Sequence, residues 1–167
     1  LAGCESILRE KSKDFEVACW LIEAQVRLNG FAGLRDGFRL ADGLVSQYWD
    51  TLHSITDDSD PTARGEPLAV LNGKGREGAL IAPIRKIALT PVIPPGPFAY
   101  WQCEQQQRRS QLSEIETIAR QGGRSFYQPL LEDLAEARSA LDALAASMQQ
   151  RMGGDAPPSS AIRDVLE

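Results

Sequence analysis

Residues 12–53, SKDFEVACWLIEAQVRLNGFAGLRDGFRLADGLVSQYWDTLH, decide the fold, because they read as two amphipathic helices joined by a tight reversal. In the second half, Leu34, Phe38, Ala41, Val45, Tyr48 and Leu52 recur at spacings of four and three, which lays one apolar stripe along a helix. Arg35, Arg39 and Asp42 fall on the opposite face and read as solvated. The first half begins at a Ser12/Asp14 cap region. It is apolar on two faces, Phe15, Ala18, Cys19, Ile22 and Val26 on one and Val17, Leu21, Ala24 and Leu28 on the other, so it is expected at the centre of the core. Asn29-Gly30 and Gly33 supply the turn of an αα-hairpin.

The rest of the chain is read outward from that hairpin. A short helix over Leu1 to Glu10 precedes it, and the acidic stretch Ser54 to Pro61 follows as a loop. Pro67 to Asn72 forms one or two helical turns, and Glu77 to Leu89 a further helix despite Pro83. Thr90 to Pro97 cannot be regular helix, because each proline lacks an amide donor and restrains the residue before it, so this is a long crossing loop. Phe98 to Arg109 and Gln111 to Ala119 return to helix. From Arg124 to Met152 the stripe Tyr127, Leu130, Leu134, Ala137, Leu141, Leu144 and Met148 marks a long core helix, with Pro129 in its first turns and Gly153-Gly154 as its stop. Ser159 or Ser160 caps a last short helix, Ala161 to Leu166. Trp49 is expected inside the core, between the hairpin and the long helix. The fold class is therefore all-α: an antiparallel helical bundle with one long C-terminal helix and an irregular Pro/Gly-rich central segment. At 167 residues and 43% hydrophobic content it fits a single domain.

Three segments carry a family resemblance: the hairpin just quoted, Leu71 to Arg85 (LNGKGREGALIAPIR) and Gly154 to Glu167 (GDAPPSSAIRDVLE). In this order they resemble the N-terminal, ImpA-type domain of the TssA family of bacterial type VI secretion systems. Ser54 stands where a proline often follows the Tyr48-to-His53 run in that family, a detail of the helix end. The resemblance implies a structural and assembly component, not an enzyme, of a contractile, phage-tail-like injector. Its expected partners are the baseplate, tube and sheath proteins. It implies bacterial cytoplasmic localisation, at the inner membrane or the sheath end of the apparatus. It also implies a longer protein that oligomerises through a C-terminal domain lying outside this chain. Related ImpA-domain proteins act at the distal end of the sheath as stoppers, an alternative role that this stretch does not separate.

Composition narrows the chemistry. The net charge is −5, yet residues 61–103 hold five basic residues (Arg64, Lys74, Arg76, Arg85, Lys86) against Glu66 and Glu77, a local +3. The remainder carries 13 basic and 21 acidic residues, net −8, which argues against nucleic acid as a partner. No apolar run approaches the ~20 residues that span a bilayer, so membrane insertion is not expected. His53 is the lone histidine, placed to finish a helix, so no triad or His-rich metal site can be assembled. Cys4, Cys19 and Cys103 are odd in number and far apart, which favours reduced core cysteines. No catalytic, cofactor-binding or metal-ligating residue is assigned.

One motif tempts an enzymatic reading: Gly73-Lys74-Gly75-Arg76-Glu77-Gly78, a literal G-x-G-x-x-G. A dinucleotide site needs a strand before it, a helix after it and an acidic residue about twenty positions on. No Asp or Glu occurs from Ala79 to Cys103, so the glycines are read as a tight connection, with a nucleotide-dependent enzyme as the competing class. The interaction surface is instead placed on the irregular basic segment, with Arg76, Arg85 and Lys86 for steering and Phe98, Tyr100 and Trp101 as aromatic anchors.

Overall fold

The computed structural model describes residues 1–53, 61–108 and 112–167. Among them lie seven α-helices and no strand: α1 (Ala2–Ser6), α2 (Phe15–Tyr48), α3 (Glu66–Asn72), α4 (Ile81–Arg85), α5 (Tyr100–Arg108), α6 (Ser113–Met152) and α7 (Ser160–Leu166). A π-helical turn, Ile7–Lys11, extends α1. The expected loop over residues 54–60 and the junction at 109–111 lie outside the described residues.

Helix α2 is two arms. Asp14 caps the first, its carboxylate accepting from Glu16 N–H at 2.9 Å and Val17 N–H at 3.0 Å. Gly30 breaks the helix at φ 57°, ψ −134°, a conformation that side-chain-bearing residues avoid. The second arm then runs back along the first. At the open end Phe15 N–H donates to His53 O and His53 N–H to Lys13 O, each at 2.9 Å. His53 thus closes the hairpin with its backbone, beyond a helix that has already ended, instead of finishing the helix with its imidazole.

The arms approach through glycine. A Cβ on Gly33 would stand 2.2 Å from the Gln25 carbonyl oxygen, and one on Gly37 would stand 2.9 Å from Ile22 Cγ1. Gly33 therefore serves close packing inside the second arm and is not part of the turn. Phe15, Ala18, Ile22, Leu34, Phe38, Ala41 and Val45 are fully buried along this contact. Two residues assigned to apolar stripes escape it: Leu28 is 65% exposed near the tip, and Tyr48 is 39% exposed where the helix ends. Tyr48 is covered on one ring face by Lys13 Nζ, 5.6 Å from the centroid. Trp49, expected in the core, falls in a 3-10 turn and packs at the core margin, half-buried, because the change of helix type rotates it off the stripe. Arg64 lies 5.6 Å over its ring and donates to its carbonyl at 2.8 Å.

Helix α6 is also broken, at Gly123, so the long core helix occupies residues 124–152 as read from sequence. Ala137, Leu141, Leu144 and Met148 are buried against the hairpin, and Tyr127, Leu130 and Leu134 are half-buried. Gly153 ends the helix at φ 59°. Beside the apolar contact runs a polar seam in which Arg39 stays exposed, as expected of a solvated face, while Arg35 and Asp42 are half-buried. Arg35 bonds Asp133, Arg39 Nη2 donates to Glu136 Oε2 at 3.0 Å, and Ser147 Oγ donates to Asp42 Oδ1 at 2.5 Å. Arg151 adds a bond to Ser46 O at 2.8 Å. Arg35 is further gripped by Asp36 at 2.7 Å, which holds the Asp36 carboxyl below the usual range and the guanidinium above its own.

The remaining helices close the other sides. Helix α4 is shorter than the expected Glu77 to Leu89: Ala79 and Leu80 N–H donate back to Val70 and Leu71 carbonyls, and starting at Ile81 puts Pro83 in the first turn, where no amide is needed. Helix α7 starts after Ser159, but the serine hydroxyl makes no capping bond. Its Ile162 N–H is taken instead by the Oδ1 of buried Asn72, at 3.0 Å. The proline-rich stretch does not cross the molecule. Its ends meet, with Leu89 N–H donating to Phe98 O and Phe98 N–H to Thr90 Oγ1, both at 2.8 Å. Phe98, Ile115 and Ile118 form a small second core beneath it.

Glycine placement gives a matched test. Gly33→Ala should lower the thermal midpoint by several degrees, since an added Cβ forces the arms apart at a cost of about 1–3 kcal/mol. Gly43→Ala, in the same arm with its nearest neighbour 3.9 Å away, should instead stabilise by about 0.5–1 kcal/mol. Calorimetry of the pair checks both signs.

Candidate interaction surface

The glycine segment is built as a helix-to-helix connection. Helix α3 precedes it, so what faces the loop is a helix C-terminus, whose carbonyls repel anions, where a dinucleotide fingerprint requires a strand. Gly73 and Gly75 adopt φ 111° and 71°, and Gly78 is pressed onto α3 so closely that a Cβ would meet Leu71 O at 2.3 Å. Lys74, the residue type that would reach a phosphate, is bonded to Glu66 at 2.8 Å.

Around this loop the structure assembles three of the six predicted contact residues. Arg76, Arg85 and Tyr100 line one groove of about 320 Å³ between the loop, α4, α5 and α7, with Asn72, Asp164 and Val165. Arg76 is exposed and has no carboxylate partner among the described residues. Arg85 Nη1 stands 3.6 Å from Glu77 Oε1, and its Nε is buried without a hydrogen bond among the described residues. Tyr100 is 44% exposed. Arg85, Tyr100 and Val165 also border a smaller pocket of about 180 Å³ whose walls are Phe31, Ile84, Leu89 and Leu134.

The other three candidates are elsewhere. Phe98 is buried over Ile115 and Ile118, so it staples the proline-rich loop down and offers no ring to a partner. Trp101 is exposed but does not line the groove. Lys86 opens onto a separate cavity beside the hairpin tip. Sequence reading missed Asp164, Val165 and Asn72, which reach the groove only because α7 docks on α3; the one available signal was an Asn at the end of an apolar run.

The reactive side chains sit in unreactive settings. Burial pushes the Cys19 thiol up, helped by Glu16 and Asp14, and burial also raises Cys103, so both stay protonated and un-nucleophilic. All three cysteines are free, and no cluster of three metal-ligating side chains occurs among the described residues. No helix of the described residues is long and apolar enough to cross a membrane.

Known proteins match this architecture. Residues 1–73 match the family model described as ImpA, N-terminal, type VI secretion system. A stretch of 57 residues is 44% identical to the type VI secretion system component TssA1 of Pseudomonas aeruginosa, covering 32% of this chain and 17% of that relative's length. The solved N-terminal domain of the TssA component of the type VI secretion system from Burkholderia cenocepacia, which includes the conserved ImpA region, matches 99% of this chain and 71% of that one. The TM-score is 0.80 at 26% identity. The family-model match ends at Gly73, while the structural match covers 99% of the chain.

NAD, NADP, ATP and GTP should leave the thermal midpoint unchanged. A ligand held only by the folded state at 100 times its dissociation constant would add about 2.7 kcal/mol, an easily seen shift. A shift that disappears in Gly75→Ala would overturn the connector reading of the loop.

Proposed function

Because the chain belongs to the TssA family through its ImpA-type N-terminal domain, we propose that it acts without catalysis, as a protein-interaction domain that helps coordinate baseplate, tube and sheath assembly. The observation that carries this reading is the fold itself: a helical scaffold alike over 99% of the chain to the TssA N-terminal domain of Burkholderia cenocepacia. Its coarser part, that the chain is a type VI secretion component, rests on the family model and on the TssA1 relative.

The groove at the glycine loop is the surface on which this domain meets a partner in that reading. Helices α2 and α6 bury their apolar stripes against each other, which leaves recognition to the segment that connects and covers them. Arg76 supplies a cation with no carboxylate partner among the described residues, and Tyr100 an amphipathic ring with two rotatable bonds, which loses little entropy when ordered. Arg85 lines the same groove and adds a second cation, 3.6 Å from Glu77. The walls come from α3, the glycine loop, α4, α5 and α7, so the groove exists only when the domain is folded.

Purified baseplate, tube and sheath proteins, presented singly to the immobilised chain, test the reading. Arg76→Glu combined with Tyr100→Ala should reduce capture of at least one of them by about tenfold, more at low salt than at high. Both side chains are exposed, so the thermal midpoint should hold. Undiminished capture by the folded double variant would remove the groove from the interface.

A further inference from the structure

A second concavity, at the hairpin tip, is unrelated to that groove. It has a volume of about 510 Å³ and lies where the end of the first α2 arm meets the segment after α4. Its floor is apolar: Val26 and Ile87 are buried, and Pro83 and Ala88 complete it. The turn sits tightly on this floor, since a Cβ on Gly30 would touch Ile87 Cγ2 at 3.4 Å. Leu28 also lines it, 65% exposed although the other stripe residues of the first arm are buried or half-buried. Leu28 and the buried floor together offer a partner one continuous apolar contact.

The rim decides what would enter. Its charged residues are Arg27 and Lys86, and no carboxylate among the described residues lines the cavity. Arg27 is oriented by Glu23 one turn earlier, at 2.6 Å, while Lys86 is exposed and has no carboxylate partner among the described residues. Glu23 neutralises part of the Arg27 charge, so Lys86 carries most of the positive potential of the rim, which in a chain of net charge −5 favours an acidic ligand. Two cations are too few for an anionic lipid surface, which calls for a cluster of about four to eight. The volume exceeds what one aliphatic side chain needs, as in grooves that receive successive anchors of a helix.

We infer that this cavity docks a short acidic amphipathic segment of a protein partner, with two apolar side chains at helical spacing seated on Val26, Ile87 and Leu28 and flanking carboxylates at Lys86 and Arg27. The site shares no residue with the glycine-loop groove, so the two can be occupied, and can fail, independently.

A phage-displayed library of random 12-residue peptides, panned on the whole chain and counter-selected on Leu28→Asp, tests it. The enriched peptides should carry apolar pairs three or four apart next to Asp or Glu. The leading peptide, synthesised with a fluorescein label, should bind about tenfold more weakly to Leu28→Asp and to Lys86→Glu, and more weakly in high salt than in low. It should bind Arg76→Glu as it binds the parent chain. Leu28→Ala serves if the aspartate lowers the thermal midpoint. Enrichment of basic or uncharged peptides, no enrichment, or binding indifferent to both substitutions would overturn the inference. So would a dimer of the chain, seen by light scattering and lost in Leu28→Asp, since the occupant would then be a second copy.

Discussion

The contact of Gly33 with the Gln25 carbonyl, and of Gly37 with Ile22, sets the separation of the two α2 arms, and the remaining elements are arranged around the slab that results. Helices ordinarily pack with axes about 8–10 Å apart, and glycine on one side allows the shorter end of that range. At that distance Phe15, Ile22, Leu34 and Phe38 are sealed from water by the hairpin and the elements laid on it. The hairpin then needs closure only at its open end, where Phe15, Lys13 and His53 exchange two backbone hydrogen bonds. A slab so thin has two usable sides. One receives the 124–152 helix, while α3 and α4 also pack on the hairpin and seat α7, and these carry the glycine loop and the groove with them.

Polar chemistry fixes how those parts dock. The seam of Arg35, Arg39 and Asp42 with Asp133, Glu136 and Ser147 lies along one margin of the apolar contact, and its exposed pairs contribute little to stability singly. Its consequence is register, because a one-turn slip of the long helix would separate every partner at once. Asn72 does the same for α7: a buried amide that left Ile162 N–H unmet would be expensive, so α7 has one seat.

Periodicity made the two long helices and their order legible, since six or seven apolar residues spaced three and four apart form a continuous stripe only on a helix. The Asp14 cap and the stop at Gly153 were legible for similarly local reasons. What stayed hidden depends on partners distant in sequence. Arg35 and Arg39 look like a wet face until a second helix with carboxylates is laid beside them, and Gly33 looks like a turn residue until Gln25 is found opposite. Trp49 was misplaced because nothing local announces the switch to a 3-10 turn at that residue. Of the candidate contact residues, basic charge singled out Arg76, Arg85 and Lys86 alike, and only the folded chain shows that the first two share a groove with Tyr100 while Lys86 lies apart and Phe98 faces inward.

The proposed interaction role requires the hairpin and the long helix to behave as one body, so that a partner would meet a surface of fixed shape. Native-state hydrogen exchange measures this directly. The account predicts that amides of Leu21 to Val26, Leu34 to Val45 and Ala137 to Met148 exchange only through global unfolding, with a common opening free energy equal to that from denaturant titration. A hairpin that exchanges at markedly lower free energy than the long helix would contradict it, showing that the glycine contact does not organise the rest.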